Sequence, residues 1–173
     1  MGGGRLAGKR SESPQRIIGC SCCTPRQKRH AVRNKFGFEE KGKRVCCKPK
    51  NGEQVAAIQM DGCVITDNDL KCDGAFIWQA GHKAALLLVE LKGAGDMAHA
   101  FMQLAYVKNH RAEYRDIKSA LDTPQLIEKA FIVSNGTMSK PEKEKLENAH
   151  NIRVASIIHS EATKAVPDLR NYL

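Results

Sequence analysis

The sequence predicts an α/β fold built on a mixed sheet, and three features carry that prediction. Residues 83–92 (KAALLLVELK) are apolar on both faces, the mark of a central, buried strand. Two strand-like segments precede this one with no helix between, which requires antiparallel neighbours. After it, helical and strand-like segments alternate, which requires parallel ones.

The elements follow in order. Residues 1–15, rich in Gly, Arg and Ser, lack the apolar content for fixed structure. Thr24 and Pro25 can cap and open a short basic helix over 26–36. Gly37, Gly42 and the run 48–52 (KPKNG) leave only patchy regular structure beyond it. Gln54 to Met60 reads as a strand, and Lys71 to Trp78 as a second, with Phe76, Ile77 and Trp78 supplying β-propensity. Residues 79–82 (QAGH) turn the chain into the central strand. Gly93, Ala94 and Gly95 break that strand, and Asp96 is placed to cap a helix reaching roughly to Ser119. On it Met97, Phe101, Leu104 and Ala105 share a core face edged by Lys108, while His99, Gln103, Tyr106 and His110 line another. Lys129 to Ser134 reads as a buried strand. Ser139 and Glu142 form a capping box for a charged helix through His150. Arg153 to His159 is the last strand, and Pro167 opens a short terminal helix.

A chain of 173 residues is long enough to bury one substantial core. No apolar run approaches the roughly 20 residues of a membrane span, which excludes a transmembrane helix. Residues 1–5 (MGGGR) carry no apolar signal core, and Leu6 stands where a myristoylation signal needs Ser or Thr. A cytoplasmic protein without a lipid anchor is expected. The net charge of +9 is unevenly spread: residues 1–50 hold 14 Lys and Arg against 3 acids, and the other 123 residues hold 14 against 16. The chain therefore divides into a basic, Cys-rich segment, 1–52, and an α/β core, 53–173. A basic segment on a near-neutral body points to a polyanion partner, nucleic acid first. Arg26, Lys28, Arg29 and Arg33 are its candidate backbone contacts. The alternative is a solvated arm that binds nothing specific.

Chemistry concentrates where the central strand ends, at Glu90-Leu91-Lys92. Strand alternation puts Glu90 and Lys92 on one face. If 71–78 and 83–92 form a hairpin, a Gly81-His82 loop sets Asp73 opposite Glu90, and an Ala80-Gly81 loop sets it opposite Leu88 on the same face. Either register gathers Asp73, Glu90 and Lys92. Two carboxylates at a core strand end are unfavourable unless a hard divalent cation lies between them, Mg²⁺ (or Mn²⁺) with phosphate oxygens being the usual case. A lysine beside them can orient or deprotonate a water for attack on phosphorus. The plainer explanation of Glu90 and Lys92 is a salt bridge at a strand end.

Asp73, sixteen intervening residues, Glu90-x-Lys92 and the surrounding strand–helix order resemble the PD-(D/E)XK nuclease superfamily, over about residues 53–160. The resemblance implies a restriction-endonuclease-like three-layer core, a central mixed sheet flanked by helices. It implies an Mg²⁺-dependent DNA endonuclease in which Asp73 and Glu90 bind the metal and Lys92 positions the attacking water. Gln103 matches a glutamine that many members carry near the metal. Cys72 replaces the proline usual before the aspartate. Many members also place a glutamate on a helix ahead of the first strand; the helix predicted over 26–36 has none, which leaves Glu39, Glu40 or Glu53. A homodimer, cutting one strand per site, suits so short a chain. The competing readings are a non-catalytic nucleic-acid-binding module and a zinc-dependent interaction protein.

All seven cysteines precede residue 73. Cys20 and Cys23 with Cys46 and Cys47 have the chemistry for a structural Zn²⁺ site, although the second pair lacks the usual gap. Unligated cytosolic thiols are the alternative. His82 falls in a turn, and His110, His150 and His159 have no ligand spacing, which assigns them to surface or packing roles. His99 lies one turn before Gln103.

Overall fold

The structure, a computed structural model, describes residues 36–173. The expectations for residues 1–15, for the basic helix and its four cations, and for Cys20 and Cys23 lie outside the described residues. A five-stranded mixed sheet forms the centre, in the order β3 (Glu53–Gln59), β4 (Gly74–Ala80), β5 (Lys83–Lys92), β6 (Gln125–Ser134), β7 (Val154–His159). Strands β3 to β5 run antiparallel; β5 to β7 run parallel. The predicted α/β class and mixed sheet are present. Helices α1 (Met97–His110), α2 (Ala112–Leu121) and α3 (Lys140–His150) connect the parallel strands.

Each face of the sheet has its own apolar layer. Ile58, Ala75, Ile77, Leu86, Leu88 and Ile132 pack on Phe101, Leu104, Tyr114, Ile117 and Leu121 of α1 and α2. The opposite face presents Val55, Phe76, Trp78, Leu87, Val89, Phe131 and Val133. Among the described residues it is covered by a hairpin, β1 (Gly37–Glu40) and β2 (Lys43–Cys46), with Phe38, Val45, Cys47 and Leu169 in the layer. Regular structure was expected to be patchy here; apolar Phe38 and Val45, set among charged neighbours, are what seat the hairpin on the sheet. The hairpin is also stitched to the end of the chain. Ser160 Oγ accepts from the Arg44 amide at 2.8 Å, and Pro167 O accepts from the Cys46 amide at 2.9 Å. Arg170, which lies over the Trp78 ring, pairs with Glu53.

Several boundaries differ from the sequence reading, and β4 runs on to Ala80, so that residues 79 and 80 belong to the strand and only 81 and 82 to the turn. The long helix predicted to Ser119 is two helices, because Arg111 is extended (φ −80, ψ 126). Its buried guanidinium donates twice to the Asp67 carboxylate, both at 2.7 Å, and once to Leu70 O at 3.2 Å. That tertiary clamp outweighs local helix propensity. Strand β6 starts four residues earlier than predicted, since it pairs along the whole of β5. Strand β4 starts at Gly74, not Lys71, and the loop before it is held by Arg111 instead of by a ladder. Asp96 does precede α1, but its side chain makes no capping bond. The capping box of Ser139 and Glu142 is complete, and the terminal helix is a single 3-10 turn, Leu169–Tyr172.

Gly74 is where the hairpin meets the sheet. A Cβ there would lie 2.4–2.7 Å from three atoms of the Phe38 ring. Gly74→Ala should therefore lower the unfolding free energy by about 1–3 kcal/mol, read from the urea midpoint. An unchanged midpoint would show that the hairpin is not seated on β4.

Candidate active site

The β4–β5 turn is Gly81-His82, with Gly81 at φ +56, so the register runs Ala80 opposite Lys83 and Gly74 opposite Val89. Of the two registers the sequence permits, this is the one that places Asp73 opposite Glu90. The two residues clasp each other through the backbone. The Asp73 amide donates to Glu90 Oε2 at 3.0 Å, and the Leu91 amide donates to Asp73 Oδ2 at 2.6 Å. Met60 N donates to Asp73 O at 3.0 Å, which extends the β3–β4 ladder to the same point. Lys92 Nζ stands 3.1 Å from Glu90 Oε1 and 3.9 Å from Asp96. Asp73, Glu90 and Lys92 are thus brought together.

Burial dominates the electrostatics. Glu90 is 1% exposed, set between apolar Ile132 on β6 and Asp73 on the other side. Desolvation pushes both carboxyls well above the ordinary range, and the adjacent Asp73 charge raises Glu90 further. Lys92 opposes this and does not cancel it. A divalent cation is one species that would supply the missing positive charge. The donor set fits Mg²⁺, which keeps several waters and needs only one or two carboxylates from the protein. Among the described residues no group of three or more His, Cys, Asp or Glu stands ready to hold a metal.

The acid candidates upstream of the site separate cleanly. Glu53 is engaged with Arg170, which holds its carboxyl down to about 2. Glu39 is exposed, on the opposite side of β1 from the buried Phe38. Glu40, two residues beyond Phe38, is near enough for its charge to raise Asp73. The sequence reading missed Asp61, in the β3–β4 loop, whose charge acts on Asp73 in the same sense and which pairs with Lys71 at 3.3 Å. Only the β3–β4 register could have revealed it.

Gln103 lies on α1 and reaches the same loop. Its Nε2 donates to Lys71 O at 2.6 Å, while its Oε1 is buried with no partner among the described residues. Cys72 is fully buried in the helix-side layer. Cys46 and Cys47 are buried free thiols: Cys46 Sγ donates to Pro167 O, and Cys47 sits in the apolar layer, its thiol pushed up to about 12. Those surroundings favour protonated thiols over the thiolates zinc requires. Comparisons with protein-family models, with curated proteins and with solved structures return no match.

The raised carboxyls have a measurable consequence. A native acid that holds its proton more tightly than the unfolded chain does stabilises the fold at low pH, and that contribution is lost as pH rises from about 4 through the neutral range. In EDTA the melting temperature should fall between pH 5.5 and pH 8, and Glu90→Gln should flatten the fall. Added Mg²⁺ should raise the melting temperature more at pH 8 than at pH 5.5. A profile that Glu90→Gln leaves untouched would contradict the assignment of buried charge at this position.

Proposed function

We propose that the chain is a divalent-cation-dependent phosphodiesterase acting on nucleic acid, with DNA the foremost substrate, in the manner of the PD-(D/E)XK nucleases. The observation that carries the reading is the clasp between Asp73 and Glu90 beside Lys92. A strand-end salt bridge accounts for Lys92 and Glu90 but not for a second, half-buried carboxyl held against the first. Asp73 and Glu90 are the residues that would hold Mg²⁺ or Mn²⁺, with Glu40 the best-placed further acid. The bound cation supplies positive charge to a phosphate oxygen and lowers the pKa of water at the site.

The side chains of the protein have their own tasks in this reading. Lys92, with its ammonium anchored on Glu90, orients the attacking water. Gln103, fixed through Lys71 O, positions the loop that delivers Asp73, and its unpaired Oε1 is available to a water or a ligand. The basic excess of residues 1–50 supplies sequence-independent affinity for the phosphate backbone.

The test is a panel of labelled duplexes, junctions, flaps and single strands incubated with Mg²⁺ or with EDTA. Cleavage in Mg²⁺ alone is expected. Asp73→Asn and Glu90→Gln should each lower the rate by roughly two orders of magnitude or more. Glu40→Gln should cost about tenfold. Salt-sensitive binding without cleavage of any substrate would instead make the chain a binding module.

A further inference from the structure

Strands β5, β6 and β7 end in register at one edge of the sheet. Lys92 pairs with Ser134, and Ser134 pairs with His159. Register partners point to the same face, so His159 belongs to the face that carries Lys92 and Glu90. Its neighbours agree: Ile157 packs with the helix-side layer, Ile158 lies in the opposite layer, and Ser160 turns to the hairpin to bond Arg44. With strands about 4.8 Å apart, the Lys92 and His159 backbones stand about 10 Å from one another. His159 Nε2 donates to Glu161 Oε1 at 2.7 Å, and both side chains are 40% exposed. A carboxylate on one ring nitrogen fixes the orientation of the imidazole, and a ring that carries both N–H groups donates one to Glu161 and the other to a phosphate oxygen.

Between Lys92 and His159 on the sheet edge stands Ser134. Ser134 is buried, and the chain leaving Lys92 turns through exposed Gly93, Ala94 and Gly95, which Gly136 meets closely enough that a Cβ would touch Ala94. Neither Gly93 nor Gly95 has a positive φ or any atom within 4 Å of where a Cβ would stand. Folding does not require glycine at either position; a ligand approaching the backbone gives it a use.

Resting on the phosphodiesterase reading, we propose that His159, oriented by Glu161, is a positioning residue that grips a non-scissile phosphate of the same substrate strand. The strand passes from the carboxylate pair over Gly93 to His159. A single strand advances 3.4 Å of helix axis per phosphate, so His159 meets the backbone within about three nucleotides of the bond that is cut.

The test uses the full chain. Cleavage of labelled single- and double-stranded oligonucleotides is followed in Mg²⁺, and affinity for the same oligonucleotides is measured in EDTA. His159→Ala should weaken affinity and raise KM by about tenfold, with kcat and melting temperature unchanged. His159→Lys, which places an N–H donor at the same point, should recover most of that loss. Gly93→Val should weaken affinity similarly without lowering the melting temperature. Wild-type affinity and KM in His159→Ala would overturn the inference and leave the phosphodiesterase reading standing, as would a loss confined to kcat. Absence of both cleavage and binding by the wild-type chain would overturn the two together.

Discussion

Two hydrogen bonds from backbone amides to carboxylates, across the end of one hairpin, govern the candidate site. The Asp73 amide reaches the Glu90 carboxylate, and the Leu91 amide reaches the Asp73 carboxylate. Neither side chain can leave without abandoning a buried amide, so the two stay together although their charges repel. Every larger feature supports that point. The Gly81 turn sets the register, the β3 ladder holds the Asp73 carbonyl, and Arg111 pins the loop that leads to it.

The arrangement concentrates unfavourable electrostatics in one corner of an otherwise apolar sheet. Along β5 the residues on the helix side are Ala84, Leu86 and Leu88 before Glu90 appears. An acid at this depth contributes nothing to packing that a leucine would not. Its position at the end of the buried central strand is what separates this corner from an ordinary strand-end ion pair. The ion pairs elsewhere are of the ordinary kind, such as Lys118 with Glu128 on α2 and β6.

The central strand and its acid were legible because both depend on local pattern. Residues 83–92 are apolar on both faces, and alternation alone places Glu90 beside Lys92. The hairpin register was legible up to a choice between two loops, since both put Asp73 on the correct face. What escaped was whatever long-range contact decides. Arg111 reads as a good helix residue and becomes a break only because Asp67, 44 positions away, captures it. The β1–β2 hairpin was hidden by its charged residues, since its seat depends on Phe38 meeting a glycine in β4. His159 carried no spacing signal, because its position relative to Lys92 is set by two successive parallel pairings.

The stitching of the hairpin to the chain's last segment bears on how the protein assembles as it is synthesised. Arg44 and Cys46 take their partners from Ser160 and Pro167, some 120 residues later. Contacts of such long sequence separation form late, because the loop between them must close first. The helix-side layer, made largely of residues 56–132, is translated before those partners exist. In a growing chain most of the helix-side layer is therefore present before the hairpin's partners at 160 and 167. The opposite layer, with Phe76, Trp78, Leu87 and Phe131, is completed last, when Leu169 joins it.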